Sequence, residues 1–154
     1  MEFAVQPLFV PAAVRAKRVC MSSGNTRPPS IDDQAPGHEP QVLIVDDEPV
    51  ILDLLRDVLE EAGYAVLSAS NGAAALYLVQ RAPVALILTD LMMPNMSGIE
   101  LARRVRANAD TQAIPLVLMS AAMPKNVDDL FAAVIHKPFA IDQVVEVVRK
   151  VQLA

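Results

Sequence analysis

Apolar positions along this chain fall into two alternating rhythms. Short unbroken aliphatic runs, such as Gln41–Asp46 and Val84–Asp90, alternate with longer stretches where apolar residues recur every three or four positions. The first kind reads as strands buried on both faces, the second as amphipathic helices. Gln41–Asp46 is strand one. Val50–Ala62 sets apolar residues at 51, 52, 55, 58, 59 and 62 against Asp53, Arg56, Asp57, Glu60 and Glu61. That is a helix, with Pro49 tolerated in its first turn and Gly63 as its C-terminal cap. Tyr64–Ala69 is strand two, and Asn71-Gly72 leads into an Ala- and Leu-rich helix ending at Arg81-Ala-Pro83. Val84–Asp90 is strand three, which Pro94 discourages from continuing. Ser97–Ala107 is a third helix, with Leu101, Ala102 and Val105 inward and Arg103, Arg104 and Arg106 assigned to a solvated face. Ile114–Met119 is strand four, ending at Ser120, with Pro115 tolerable at its start.

Beyond Ser120 the pattern thins. Pro124–Phe131 has room for about two helical turns before a brief strand near Ala132–His136. Ile141–Leu153 is a last amphipathic helix, apolar at 141, 144, 145, 148 and 151. Strands alternating with helices imply a parallel sheet covered on both faces, and right-handed crossovers make it a doubly wound α/β sandwich. The chain ends with that helix, so no output domain is expected.

Residues 1–40 differ in kind. They hold six of the twelve prolines, and residues 22–40 are rich in Ser, Asn, Asp, Gly and Pro. A flexible extension is expected there, leaving residues 41–154 as the domain. Phe3–Val19 is at most a short amphipathic segment, and Met21 opens a shorter reading frame, so residues 1–20 are read as a gene-start choice.

Bulk composition narrows the setting. At 154 residues, 53% hydrophobic and 20% charged, the chain suits one globular domain. A net charge of −5 offers no basic stripe for nucleic acid. The single cysteine, Cys20, fits a reducing compartment. No apolar run nears the roughly 20 residues that span a bilayer, and the basic residues Arg15, Lys17 and Arg18 follow the first apolar stretch where a secretory signal has them first. A cytoplasmic protein without membrane insertion is expected.

In a parallel sheet the strand ends share one edge. Asp46-Asp47-Glu48, Asp90, Ser120 and His136-Lys137-Pro138 are therefore expected to converge. Clustered carboxylates need a counter-charge, and an oxygen-only donor set suits Mg²⁺. A lysine and a hydroxyl facing a carboxylate make a phosphoryl clamp, with Asp90 as the acceptor that becomes an acyl phosphate. Each residue also has a plainer role. Asp47-Glu48-Pro49 works as a helix start. Asp90 and Ser120 work as turn residues, and Lys137 as a solvated cation. Their shared edge favours the joint reading. Met92, Met93 and Phe139 are read as packing, and His38 and His136 as structural or solvated.

Val45-Asp46-Asp47-Glu48-Pro49, Asp90-Leu-Met-Met-Pro94-Asn-Met-Ser-Gly98, Ser120-Ala-Ala and Lys137-Pro138-Phe139 resemble the receiver domain of two-component response regulators. The resemblance covers residues 41 to 153. It implies a flavodoxin-like fold of five strands, in the order 2-1-3-4-5, and five helices. It further implies that Asp90 takes phosphate from a sensor histidine kinase or a phosphotransfer protein. Asp46, Asp47, Asp90 and the backbone carbonyl of Met92 would hold Mg²⁺, while Ser120 and Lys137 would contact the phosphoryl oxygens. The expectation is a single-domain regulator that turns over no external substrate. Its output would be a downstream protein contact, phosphate relay or a phosphate sink.

Two departures bear on output. Val134 stands three positions before Lys137, where receivers commonly carry an aromatic ring, and valine is stiff at χ1. Sixteen residues separate Ser120 from Lys137, fewer than usual, so the helix between strands four and five is expected to be short, irregular or marginal. These departures keep open a binding module that works without phosphate. A phosphohydrolase using an aspartyl phosphate is disfavoured, because Met92 stands where a second acid would lie two residues after Asp90.

Overall fold

The computed structural model describes residues 40–153. The flexible extension expected over 1–40, with Phe3–Val19, Cys20, Met21 and His38, lies outside the described residues except for Pro40.

The strands are β1 Gln41–Val45, β2 Val66–Ala69, β3 Val84–Asp90, β4 Leu116–Ser120 and β5 Ala133–His136. The helices among the described residues are α1 Pro49–Glu61, α2 Gly72–Val79, α3 Gly98–Ala107 and α4 Ile141–Leu153. The sheet is parallel throughout, in the order β2-β1-β3-β4-β5. This is the flavodoxin-like, doubly wound arrangement.

Side chains on successive strand residues point to opposite faces, which explains why the strands read as unbroken apolar runs. Leu43, Val45, Ile87, Leu116 and Leu118 face α2 and α3, packing with Ala75, Leu101 and Val105. Val42, Ile44, Leu86, Leu88, Val117 and Met119 face α1 and α4, packing with Leu55, Leu59, Val144 and Val148. Local signals set the helix ends. Asn71 and Ser97 cap α2 and α3 by accepting the N–H of Ala74 and Glu100. Past α1, Gly63 takes a positive φ of 96°, which an L side chain resists.

Four expectations need correction. Strand two begins at Val66, not Tyr64, strand four begins at Leu116, not Ile114, and helix two stops at Val79. The implied fifth helix is absent: residues 121–132 hold only a turn at Asp128–Leu130. Asn126 adopts φ 61° there, which no α-helix contains. Pro124, Asn126, Asp128 and Asp129 are poor helix interiors. Burial of Val127 and Phe131 holds the segment down instead.

Candidate functional site

β1, β3, β4 and β5 deliver their last residues to one edge of the sheet. Asp46 follows β1 and is fully buried; Asp90 ends β3 and is 7% exposed. Asp46 Oδ1 accepts the N–H of Glu48 at 2.9 Å, tying it to the start of α1. Its Oδ2 is buried and accepts no hydrogen bond. Lys137, just past β5 and preceding a cis peptide to Pro138, reaches back across the edge. Its Nζ donates to Asp90 Oδ1 at 2.9 Å and lies 3.6 Å from Asp46 Oδ2. Asp47 is exposed, and one oxygen each from Asp46, Asp47 and Asp90 falls within 4.8 Å of the others.

A close backbone approach holds the acceptor. Gly98 N–H donates to Leu91 C=O at 2.9 Å, and a Cβ on Gly98 would lie 2.3 Å from the Asp90 carbonyl oxygen. Thr89 Oγ1 donates to that same oxygen at 3.0 Å. Between the strand end and α3, Asn95 turns the chain with φ 67°. Gly98 and Thr89 thus join the site beyond the residues expected from sequence. The glycine at a helix start was the signal for one, and nothing in the sequence marked the other.

Ser120 is buried at the end of β4, but its hydroxyl is engaged locally. It donates to Ala122 C=O at 2.6 Å and accepts Ala122 N–H at 3.2 Å. Its link to Lys137 runs through the backbone, Lys137 N–H donating to Ser120 C=O at 2.9 Å. His136 is exposed, and Val134 packs into the core beneath α2 and α3. Phe139 and Met93 pack as expected. Met92 does not: its side chain is 76% exposed, although its neighbours Leu91 and Met93 pack on the core. Arg106 is likewise not part of a solvated face, since backbone carbonyls engage it.

The charges explain the pairing. Burial raises the Asp46 pKa above the usual carboxylate value, and the charges of Asp90 and Asp47 add to the rise, against the Glu48 N–H and Lys137. Burial alone would lower the Lys137 pKa, but the hydrogen bond and charge of Asp90, with the charge of Asp46, raise it overall. Three carboxylates face one ammonium, and a buried carboxylate oxygen lacks a donor. An oxygen-only set with this charge surplus fits a hard divalent cation.

A raised carboxyl pKa means the folded state binds that proton more tightly, so the Asp46 contribution worsens as pH rises from the unfolded value through the folded value. A raised lysine pKa stabilises below its unfolded value, and that benefit is lost as pH rises through the folded one. Asp46→Asn keeps the Glu48 contact and removes the buried charge. In metal-free buffer at neutral pH it is expected to raise Tm by a few degrees, the effect of about 1 kcal/mol. It is also expected to flatten the pH dependence just above pH ~4 and to abolish stabilisation by Mg²⁺. Calorimetry with and without Mg²⁺ checks all three.

Comparison with known proteins agrees with this geometry. Residues 42–149 match the response regulator receiver domain. The chain is 36% identical over 117 residues to the response regulator receiver protein CpdR of Brucella abortus, covering 74% of this chain and 98% of CpdR. Over 83 residues it is 45% identical to the sensor histidine kinase TmoS of Ectopseudomonas mendocina, spanning 54% of this chain but only 8% of that protein. Among solved structures, the chemotaxis response regulator CheY4 of Vibrio cholerae superposes with a TM-score of 0.68 at 26% identity, covering 73% of this chain and 98% of CheY4. With four strand-end motifs gathered at one edge of this sheet, the chain belongs to the receiver domain family of two-component response regulators.

Proposed function

We propose that Asp90 accepts a phosphoryl group from a sensor histidine kinase or a histidine phosphotransfer protein and thereby switches a protein contact. The observation that carries this reading is Lys137 bridging Asp90 and buried Asp46 within a three-carboxylate cluster. In the transfer, an Asp90 carboxylate oxygen forms a bond to phosphorus as the P–N bond of a phosphohistidine breaks. The leaving imidazole keeps its electron pair and takes up a proton. Lys137 meets the charge gathering on the phosphoryl oxygens, and positioning does the rest. Asp46, Asp47 and Asp90, with the Met92 carbonyl, would hold Mg²⁺, which supplies charge neutralisation when bound. Ser120 can contact the phosphoryl group only by giving up its bond to the Ala122 carbonyl, so its hydroxyl is the reporting element.

Exposed apolar side chains support a protein as the phosphate donor. Val50 and Leu54 on α1, Met92 after β3, Met123 after β4 and Ile141 at the start of α4 are exposed, and each sits on an element that starts from the Asp90 edge. Isolated exposed apolar residues are ordinary; a group on one edge marks a contact surface. On this reading the protein would turn over no external substrate and would act in the cytoplasm.

Val134 and the missing helix leave one second reading to be tested, a binding module that responds without phosphate. A phosphotransfer profile against the organism's own histidine kinases, with Asp90→Ala as control, separates the two. Transfer from at least one kinase to wild type and none to Asp90→Ala is expected. Partner binding without transfer from any kinase would favour the second reading.

A further inference from the structure

Arg106 leaves the last turn of α3 and makes contacts its helical position does not foretell. Nη1 donates to the carbonyls of Gln112 at 2.6 Å and Ile114 at 2.7 Å, and Nη2 donates to the carbonyl of Leu130 at 3.1 Å. The planar guanidinium thus joins the connection before β4 to the connection before β5. Two forked donors at fixed geometry suit this task, and a lysine could not reproduce it. Among the described residues Arg106 makes no salt bridge, and its burial lowers its pKa. Around it, Thr111 Oγ1 donates to Val105 C=O at 2.8 Å, which secures the end of α3.

The joined segment is half of the stretch where the expected helix is missing. Residues 127–132 are anchored several times over. Val127 and Phe131 are buried. Leu130 N–H donates to Val127 C=O at 2.9 Å, and Ala132 N–H donates to Leu116 C=O at 2.8 Å. Arg106 holds the Leu130 carbonyl from outside. Residues 121–126 are exposed except for half-buried Pro124, and they meet the anchored half at Asn126, where φ is 61°.

We propose that Arg106 is a positioning residue that replaces the missing helix as the anchor of the β4–β5 connection. Phosphorylation at Asp90 then rearranges residues 121–126 and leaves 127–132 in place. The proposal rests on Asp90 being the acceptor. It assigns the response to a surface patch of Ala121, Ala122, Met123, Lys125 and Asn126 directly after Ser120. A helix packed along the sheet would carry a change as a body; here a hydroxyl that shifts at Ser120 moves a six-residue arc between two fixed ends.

Amide hydrogen exchange on the full chain tests this, before and after acetyl phosphate with Mg²⁺, using wild type, Arg106→Met and Arg106→Lys. In wild type, phosphorylation is expected to alter exchange at 121–126 and leave 127–132 unchanged. In Arg106→Met without phosphate, exchange at 127–132 is expected to rise at least tenfold, the mark of local opening. Phosphorylation of that variant then alters the whole of 121–132. Arg106→Lys restores part of the protection, and β1 and β3 amides report that both variants stay folded. A phosphorylation response spread over 127–132 in wild type would overturn the proposal. So would unchanged exchange there in both variants. Intact mass separates the two claims: no phosphate on wild type sinks the acceptor reading, whereas the unphosphorylated comparison still judges the anchor.

Discussion

Lys137→Met is expected to cut phosphoryl incorporation at Asp90 by about 10²–10³ while making the protein bind Mg²⁺ more tightly. The opposite signs follow from one position. The ammonium sits 2.9 Å from Asp90 Oδ1 and 3.6 Å from Asp46 Oδ2, so it repels any cation that the same carboxylates would hold. Removing it lifts that competition. It also removes the fixed positive charge that meets the phosphoryl oxygens, and it leaves two buried carboxylates without their counter-charge. Methionine keeps much of the lysine stem, so packing changes little. Titration calorimetry with Mg²⁺ and a phosphorylation time course read the two effects separately. A variant that lost Mg²⁺ affinity and phosphorylation together would show that Lys137 holds the site open structurally and is no rival to the metal.

Gly98→Ala is expected to lower Tm by on the order of ten degrees, a loss of roughly 3 kcal/mol or more. Helix propensity alone predicts the opposite, since alanine in a helix is favoured over glycine by about 1 kcal/mol. The sign therefore decides which effect wins. A Cβ at this position would stand 2.3 Å from the Asp90 carbonyl oxygen and 3.2 Å from its carbonyl carbon. Both are backbone atoms, which a rotamer change cannot clear. The end of β3 or the start of α3 must shift, and Asp90 shifts with it. Slower phosphorylation should accompany the lower Tm. Gly72 makes a useful comparison: its nearest contact is the Met96 Sδ at 2.5 Å, the end of a flexible side chain. Gly72→Ala is expected to cost less than Gly98→Ala.

How much of this could be read in advance depends on the range of the interaction that sets each feature. The five strands were legible because both faces of a parallel sheet are covered, which leaves unbroken aliphatic runs. That Asp46, Asp47, Asp90, Ser120 and Lys137 gather at one edge was legible for the same reason, since strand ends share an edge once the topology is known. The missing helix was half legible. The short spacing from Ser120 to Lys137 signalled a shortage, but the left-handed turn at Asn126 and the burial of Val127 and Phe131 are set by the sheet beneath. β2 began later than its apolar residues implied, because Tyr64 still belongs to the turn after α1, its N–H donating to Leu59 C=O at 2.9 Å.

Side chains that act across the fold were not legible. Arg106 occupies the polar side of a helical wheel, and periodicity assigns such a residue to solvent. Its three carbonyl partners come from chain up to 24 residues away. Met92 failed in the other sense. Its apolar character implied packing, yet it lies exposed two residues past the acceptor. Arg106 sits on α3 and Met92 in the loop after β3, and what decides each is a distant partner or a local turn, not a repeating pattern.

The acceptor role of Asp90 is tested most directly by intact-mass measurement of the full chain after acetyl phosphate with Mg²⁺, wild type beside Asp90→Ala. One added phosphoryl group is expected on wild type and none on the variant. Phosphate retained on Asp90→Ala would contradict it by placing the acceptor elsewhere. An unmodified wild type, with kinase-mediated transfer also absent, would contradict it outright.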